Sequence, residues 1–419
     1  MKRVLLVLLA LLLVGVGAGA AYVLYKRSQG GNIVGNSTVE FNTTTTQQQT
    51  RAQKQAAKEG IAWPMYGFDE QRTRVGASKF RPPFRRRWTY HGKSLLEFPP
   101  AVAYGRLYFT NNVGTTIALE ARTGKRAWRR VAHRCTASSP AVAGKLVFQT
   151  FLNKPPCNAS GSSLDGLVVA FSAKSGKVVW RRQVGPSESS PLVVGHRVFV
   201  GDWRGKVYAF EARSGHLDWS YTTGGPVKDG VAYDNGRVYF ASYDHHVYAV
   251  RARSGRLAWS SSAQQRFGAL ANFYSTPALA YGRLYIGGTD GKVYSYGETS
   301  GHLLWSHSTG SYVYSSPAVW RRFVFAGSYD GTFYAFDAAT GNVRWSFHAN
   351  GPISGSPTVL RGVVYFATLK RRTYALSARN GIRVWSFPDG KYSPVVSDSK
   401  RLYLVGHTRI YGLVPRRKP

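Results

Sequence analysis

Carboxylates are scarce in this chain of 419 residues, which has 20 aspartates and glutamates against 56 lysines and arginines. The formal net charge is therefore +36 at pH 7. This composition favours attraction to anionic surfaces and polymers. We do not expect a nucleic-acid partner, because the chain carries no recognised nucleic-acid-binding module.

Cysteine is almost absent, with only Cys135 and Cys157. Two thiols exclude a disulfide-rich scaffold and a metal site made of several cysteines. They leave room for one bridge, which would close a loop of about 22 residues and contribute ~3 kcal/mol in the chain-entropy model. A bridge predicts an oxidising compartment. Two unpaired thiols are the alternative.

The chain has a single long apolar run, residues 4–25, without a charged side chain. A helix of about 22 residues is long enough to cross a bilayer. We expect a single-pass anchor in the cell membrane, with residues 1–3 in the cytoplasm and the remainder outside; the flanking charges do not decide this orientation. A cleaved signal peptide is the alternative, since Ala18-Gly19-Ala20 offers a cleavage site. The polar composition of residues 26–62 predicts a disordered tether.

One motif recurs along the remainder of the chain: a small residue, glycine, three further residues and tryptophan. It occurs at Gly124/Trp128, Gly176/Trp180, Gly215/Trp219, Gly255/Trp259, Gly301/Trp305, Gly341/Trp345 and Gly381/Trp385. Successive tryptophans are 52, 39, 40, 46, 40 and 40 residues apart. A period near 40 with several short strands per unit is typical of a β-propeller.

The two ends of the repeat region complement each other. Trp88 lies 40 residues before Trp128 but has no preceding strands of its own, whereas residues 392–413 predict three strands without a tryptophan. We therefore predict an all-β, eight-bladed propeller over residues 63–414, whose last blade is closed by an N-terminal strand, with a basic tail at residues 415–419. The blade-packing residues are predicted to be Trp88, Trp128, Trp180, Trp219, Trp259, Trp305, Trp345 and Trp385.

The segment from Phe333 to Trp345, FYAFDAATGNVRW, resembles the repeat of the PQQ-like (pyrroloquinoline-quinone-like) β-propeller family. In that family a strand ending Leu-Tyr-Ala-Leu-Asp is followed by Ala-x-Thr-Gly and then Trp. The resemblance covers residues 63–413. It implies the fold more than the function, because the family includes enzymes as well as scaffolds such as the lipoprotein of the Bam complex. This chain lacks the lipid-bearing cysteine of that lipoprotein.

Quinone-dependent dehydrogenases of this fold typically bring calcium ligands, often adjacent cysteines, and sometimes a Cys-x-x-Cys-His haem site. The adjacent cysteines and the haem motif are missing here. We therefore expect a monomeric binding scaffold of the cell envelope, with no catalytic residue, no metal and no cofactor. The alternatives are a dehydrogenase that uses PQQ with calcium, and a carbohydrate or cell-wall binder.

The turns of a propeller sort onto two faces. The face with the first-second and third-fourth turns is rich in basic residues, and we expect it to meet an anionic membrane or cell-wall polymer; an arginine-biased composition is the alternative. The arginines predicted for this basic face are Arg106, Arg122, Arg197, Arg213, Arg237, Arg253, Arg283, Arg321, Arg322 and Arg379.

The opposite face carries both irregular insertions, residues 151–165 and 260–273, and insertions on one face of a repeat array often mark the binding face. We expect a protein partner there. The mouth of the central channel opens on the same face, and its residues are predicted to contact a ligand or partner, or else merely to plug the channel. They are Glu188, Lys228, Asp229, Tyr274, Tyr314 and Tyr392.

Overall fold

The structure, a computed structural model, describes residues 15–17, 19–21, 30–43, 57–78, 80–155, 157, 165–264, 271–393 and 395–416. Across these residues, 34 strands form eight sheets. The predicted anchor at residues 4–25 lies mostly outside the described part of the chain. In that part, no helix is both long and apolar enough to cross a membrane.

Seven blades each take four consecutive strands, which run antiparallel from the centre of the ring outward. Blades 1 and 2 contain β4 (Ala101–Ala103), β5 (Arg106–Thr110), β6 (Thr115–Glu120), β7 (Arg126–Val131), β8 (Ala141–Ala143), β9 (Leu146–Phe151), β10 (Gly166–Ser172) and β11 (Val178–Val184). Blades 3 and 4 contain β12 (Leu192–Val194), β13 (Arg197–Gly201), β14 (Lys206–Glu211), β15 (Leu217–Thr222), β16 (Ala232–Asp234), β17 (Arg237–Ala241), β18 (His246–Arg251) and β19 (Leu257–Ser262).

The second half of the ring repeats the pattern. Blades 5 and 6 contain β20 (Ala278–Ala280), β21 (Arg283–Gly287), β22 (Lys292–Gly297), β23 (Leu303–Ser308), β24 (Ala318–Trp320), β25 (Phe323–Gly327), β26 (Thr332–Asp337) and β27 (Val343–His348). Blade 7 contains β28 (Thr358–Leu360), β29 (Val363–Thr368), β30 (Arg372–Ser377) and β31 (Arg383–Phe387).

Blade 8 is split between the two ends of the propeller, as the sequence predicts. It consists of β32 (Val395–Ser397), β33 (Leu402–Val405), β34 (Arg409–Pro415) and the outer strand β3 (Phe84–His91). Thr89 of β3 lies opposite Tyr411 of β34 in an antiparallel register. The inner strand β32 also lies beside β4 of blade 1, so the ring is closed. The eight-bladed propeller is thus confirmed, while the exact domain limits stay a prediction.

The core lies between neighbouring blades, because the middle strands are apolar on both faces. In β5, for example, Leu107, Tyr108 and Phe109 are all buried. The outer strands differ: in β7 only Trp128 is buried. Every blade therefore depends on its neighbours to cover its sheet, which ties the stability of each blade to closure of the ring.

Each turn glycine of the repeat contacts the tryptophan of the preceding blade. A Cβ atom at Gly124 would lie 2.6 Å from the Trp88 ring, and one at Gly341 would lie 2.7 Å from the Trp305 ring. The same contact occurs at Gly176–Trp128, Gly215–Trp180, Gly255–Trp219, Gly301–Trp259 and Gly381–Trp345. The repeated motif therefore encodes the contact between blades as well as a turn.

Most of these tryptophans also form a hydrogen bond to the next blade. The indole N–H of Trp180 donates to the carbonyl of Ala212 at 2.8 Å. Trp88, Trp128, Trp219, Trp259 and Trp305 donate to the equivalent carbonyls, at 3.0–3.2 Å. Trp128, Trp180, Trp219 and Trp305 are buried, and Trp88, Trp259, Trp345 and Trp385 are half-buried. All eight lie between blades.

The segment that precedes the outer strand β3 in the chain crosses the centre of the ring. β1 (Ile61–Trp63) pairs with β4 of blade 1, and β2 (Val75–Gly76) pairs with β28 of blade 7. Between them, the carbonyls of Pro64, Glu70 and Thr73 accept hydrogen bonds from the inner strands of blades 2, 4 and 6. The crossing segment, residues 61–76, therefore closes the central channel from within.

Part of the predicted tether is ordered against the ring, which corrects the expectation of disorder for residues 30–43. Ile33 forms an antiparallel bridge with Ser306 of the outer strand β23. The guanidinium of Arg283 donates to the carbonyls of Asn36 and Glu40, and its charge lies over the Phe41 ring at 4.9 Å. We call residues 30–43 the strap. The amino-acid composition did not predict the strap, because the strap binds the ring mainly through backbone hydrogen bonds to the exposed edge of a sheet.

Candidate functional site

The mouth of the channel is a funnel on the insertion-bearing face, closed below by Tyr66 of the crossing segment. Its cavity has a volume of about 50 Å³. The six residues that the sequence predicts for the mouth all line this funnel, together with Glu97 and Phe98: Glu188, Lys228, Asp229, Tyr274, Tyr314 and Tyr392. The structure thus brings the predicted set together, while its binding role stays a prediction.

Blade 4 supplies the departure from the repeat that shapes the funnel. Six blades open their inner strand with a Ser-Pro or Thr-Pro pair and blade 1 opens with Pro99-Pro100, whereas blade 4 has Lys228-Asp229-Gly230. The Asp229 carboxylate accepts hydrogen bonds from the Gly230 N–H and from the Thr276 hydroxyl of blade 5. Burial raises the pKa of Asp229, and these hydrogen bonds oppose the rise.

Glu188 lies across the funnel and accepts a hydrogen bond of 2.6 Å from the Tyr274 hydroxyl. Desolvation by burial raises the pKa of Glu188 to about 7, although this hydrogen bond and the charge of Lys228 lower it. Burial also raises the pKa of Glu97. Three carboxyl groups whose ionisation is disfavoured by burial therefore converge in the funnel, in a chain that has few acidic residues overall.

Aromatic rings surround these carboxyl groups. The Lys228 ammonium lies over the Trp203 ring at 4.5 Å and over the Tyr243 ring at 4.9 Å. Tyr274 contacts Tyr314 with ring centroids 5.2 Å apart. Tyrosine faces beside carboxylates favour positively charged groups, and Lys228 is an internal example of such a group held in this environment.

The serines that open the inner strands have a structural role. The Ser190 hydroxyl accepts the Ser139 N–H of the preceding blade at 3.0 Å, and the Ser356 hydroxyl accepts the Ser316 N–H at 2.9 Å. The Ser316 hydroxyl accepts the Thr276 N–H in the same way. These hydroxyls link successive blades around the channel below the funnel.

The predicted basic face is only partly available to a partner. Arg106 and Arg237 are half-buried and donate to carbonyls in the third-fourth turn of the next blade. Arg197 pairs with Asp218 at 2.6 Å, and Arg283 is fully buried under the strap. The remaining predicted arginines are exposed: Arg122, Arg213, Arg253, Arg321, Arg322 and Arg379. Several basic residues of this face therefore serve the fold, a role the sequence reasoning missed.

Cys135 and Cys157 form a disulfide with a Cα–Cα distance of 5.5 Å, as predicted. It ties the connection after blade 1 to the first insertion. Most of that insertion, 156 and 158–164, lies outside the described residues, as does 265–270 of the second. The partner expected on this face stays a prediction.

No group of three or more His, Cys, Asp or Glu side chains in the described ranges is arranged to hold a metal ion. The aspartates that recur in the second-third turns instead bind backbone. Asp330, for example, accepts the N–H groups of Gly310 and Thr332 and the Tyr334 hydroxyl. The recurrence therefore reflects turn structure.

The family model described as "Outer membrane protein assembly factor BamB" matches residues 69–154, 164–316 and 289–413. The chain belongs to this family of PQQ-like propellers. The crystal structure of BamB from Moraxella catarrhalis superposes with a TM-score of 0.66 at 16% identity, covering 79% of this chain and all of that one. A quinohemoprotein alcohol dehydrogenase, ADHIIG of Pseudomonas putida HK5, superposes with a TM-score of 0.72 at 15% identity over 87% of this chain and 83% of that one. At these identities the two likenesses show the fold alone.

A segment of the chain is also similar to an enzyme. It is 31% identical over 157 residues to the dehydrogenase subunit of a quinone alcohol dehydrogenase of Gluconobacter oxydans, covering 30% of this chain and 19% of that protein. The chain thus matches about a fifth of that relative's length. From the sequence we expect neither enzymatic activity nor a cofactor. Both expectations are wrong, because several relatives that match part of the chain are named as quinone-dependent dehydrogenases.

The funnel can be compared with the space that a quinone needs. Small-molecule sites have volumes of about 300–1,000 Å³, whereas this cavity has about 50 Å³. Glu188 and Tyr274 bond to each other across it, and Tyr66 closes it below. In this arrangement of side chains the cavity is too small for a tricyclic quinone.

Proposed function

We propose that this propeller is an extracytoplasmic binding scaffold whose funnel receives a basic side chain of a partner protein. The observation that carries the proposal is the convergence of Glu97, Glu188 and Asp229 beneath a rim of tyrosines. The chain has a net charge of +36, so this group of carboxyl side chains differs from the basic surface around it. Electrostatic complementarity then favours a positively charged ligand at the funnel.

Size and charge both support this ligand. A cavity of about 50 Å³ has room for a few water molecules or for one cationic head group. A bound cation favours the ionised form of Glu188, whose pKa is raised to about 7. Binding should therefore strengthen as the pH rises from 6 to 8, because the cation no longer competes with the proton for the carboxylate.

The test is a titration of the full-length protein in detergent with hexalysine at low salt, followed by fluorescence. We expect saturable binding of hexalysine. The affinity should fall about tenfold in Glu188→Gln, because this variant loses one buried contact between opposite charges. Glu211→Gln, at a half-buried residue on the opposite face, is the matched control. A non-saturable signal, or equal losses in both variants, would contradict the proposal.

The names of the relatives and the disulfide support a location outside the cytoplasm, since disulfides persist in oxidising compartments. We further propose that residues 4–25 anchor the propeller in the cell membrane. Extraction of cell membranes with alkaline carbonate tests the anchor: an integral protein stays in the pellet, and a cleaved one is released.

The second candidate function is a quinone-dependent dehydrogenase, which the segment similarity to the Gluconobacter oxydans subunit favours. Titration with pyrroloquinoline quinone and calcium separates the two candidates. A saturable quinone complex supports the dehydrogenase. Hexalysine binding without a quinone complex supports the scaffold.

A further inference from the structure

The outer strands of the eight blades fall into two groups by charge. In blades 8, 1 and 2, two or three arginines lie within three residues of the tryptophan, whereas in blades 3 to 7 at most one does and the tryptophan is followed by serine. We call the first group the arginine wall: Arg85, Arg86, Arg87, Arg126, Arg129, Arg130, Arg181 and Arg182. The serines are Ser220, Ser260, Ser306, Ser346 and Ser386. Position for position, Arg129 and Arg181 stand where the other blades have serine.

All eight side chains of the arginine wall are exposed. Arg130 and Arg182 donate to carbonyls of the next blade's third-fourth turn, at 2.8–3.0 Å. Across the described residues, no carboxylate forms an ion pair with any member of the wall. Its positive charge is therefore not neutralised within the protein.

The outer strands of the other blades carry almost no net charge by comparison. Asp218 in blade 3 is negative, and the Arg344 guanidinium in blade 6 pairs with Asp337 at 2.9 Å. Arg383 in blade 7 is exposed. The wall is thus a local feature and does not simply follow from the overall composition.

The wall is continuous, because blades 8, 1 and 2 are neighbours in the closed ring. The Trp88 indole of blade 8 donates to Ala121 of blade 1, and Arg130 of blade 1 reaches Ser175 of blade 2. Eight blades complete the circle, so blades 8 and 2 face directions a quarter of a turn apart. The positive surface is therefore convex, and a ligand that meets all of it must bend.

We infer that the arginine wall binds a flexible linear polymer carrying phosphate groups along its backbone. Guanidinium groups bind phosphate oxygens in a bidentate manner, which lysine cannot match. A flexible chain can follow the curve of three blades, whereas a flat bilayer meets one blade at a time. In the three blades of the wall, Trp128 and Trp180 are buried and Trp88 is half-buried between blades, so neither a membrane interface nor stacking nucleic-acid bases finds a fully exposed indole.

The experiment compares two double variants of the full-length protein in detergent. Arg129→Ser with Arg181→Ser replaces wall residues by the residue that other blades have at the same position. Arg213→Ser with Arg253→Ser removes the same charge from exposed turns of blades 3 and 4. Long-chain inorganic polyphosphate is the probe, and its dissociation constant is measured over a series of salt concentrations, with melting temperatures to verify folding.

We expect the wall variant to bind polyphosphate at least tenfold more weakly at low salt, since each basic residue near an anionic surface contributes about fivefold or more. The slope of log K against log salt should fall by about 1.5 in magnitude, as for two lost phosphate contacts on a flexible strand. The control variant should change the affinity about twofold or less.

Three outcomes would overturn the inference. The parent protein could fail to bind polyphosphate at low salt. Both variants could weaken equally, which would assign the binding to net charge. Vesicles containing phosphatidylglycerol, or a DNA duplex, could lose binding in the wall variant while polyphosphate does not, which would assign the wall to a membrane or to nucleic acid.

Discussion

Blades 1 and 5 share the contact between turn glycine and tryptophan but differ in what covers their outer strands. In blade 5 the strap pairs with β23, and Trp305 is 0% exposed; in blade 1 nothing in the described chain covers β7, and Trp128 is 7% exposed. The residue after the tryptophan is the buried Ser306 in blade 5 and the exposed Arg129 in blade 1. An arginine at position 306 would leave no room for the strap.

This difference shows which part of the repeat is constrained. Contacts between blades demand the same glycine and tryptophan in nearly every blade, because the ring must close with the same geometry at each step. The outermost edge has no such neighbour, so one blade uses it to hold the chain's own strap and others to present charge. The positions at which one blade differs from the others are therefore the candidates for function.

The largest effect is expected from Trp305→Ala, at ~3–5 kcal/mol of unfolding free energy for a buried aromatic. Trp128→Ala should cost a similar amount, because its ring makes the same glycine contact and a hydrogen bond of 3.0 Å to Ala173. Denaturant unfolding measures both. A loss in blade 1 far below that in blade 5 would show that the strap, and not the contact between blades, gives Trp305 its importance.

Glu188 tests a departure from the repeat. Its pKa is raised from 4.5 to about 7 by burial, so the folded state holds a proton that the unfolded state releases. The protonated carboxyl group stabilises the folded state fully below pH 4.5. This contribution to the unfolding free energy, at most ~3 kcal/mol, is lost as the pH rises to about 7. Glu188→Gln should flatten this decline and be more stable than the parent at pH 8. Melting temperatures from pH 5 to 8 measure it, and an unchanged slope would contradict burial of the carboxyl group.

Gly341→Ala probes the contact between blades from the other side. The new Cβ would lie 2.7 Å from the Trp305 ring, at a φ of 76°. Gly236→Ala is the control, because its φ is 77° and nothing lies within 4 Å of its Cβ position. The control should cost about 1 kcal/mol for the backbone alone, and Gly341→Ala about 2 kcal/mol or more. Equal losses would mean that the ring moves aside freely.

The eight-bladed fold could be predicted because the tryptophan spacing repeats and the two chain ends are complementary halves of one blade. The funnel set could be predicted for the same reason: Lys228-Asp229-Gly230 stands out against repeated Ser-Pro pairs. The strap and the crossing segment could not, since their contacts are mainly backbone hydrogen bonds that leave no pattern in the sequence. The role of Arg283 escaped for a related reason, because its partners are carbonyls and a strap that composition predicts to be disordered.

The smallest expected loss of stability tests the difference between blades 1 and 5 most directly. Ile33→Pro removes the N–H that donates to Ser306 at 3.0 Å, so the strap loses its bridge to β23. We expect a loss of about 1 kcal/mol and faster hydrogen exchange of the Ser306 amide, with exchange in β7 of blade 1 unchanged. Val34→Ala, at a neighbouring side chain that is 65% exposed, is the control. If Ser306 exchange stays slow in Ile33→Pro, the strap does not protect blade 5, and the two blades differ only in their arginines.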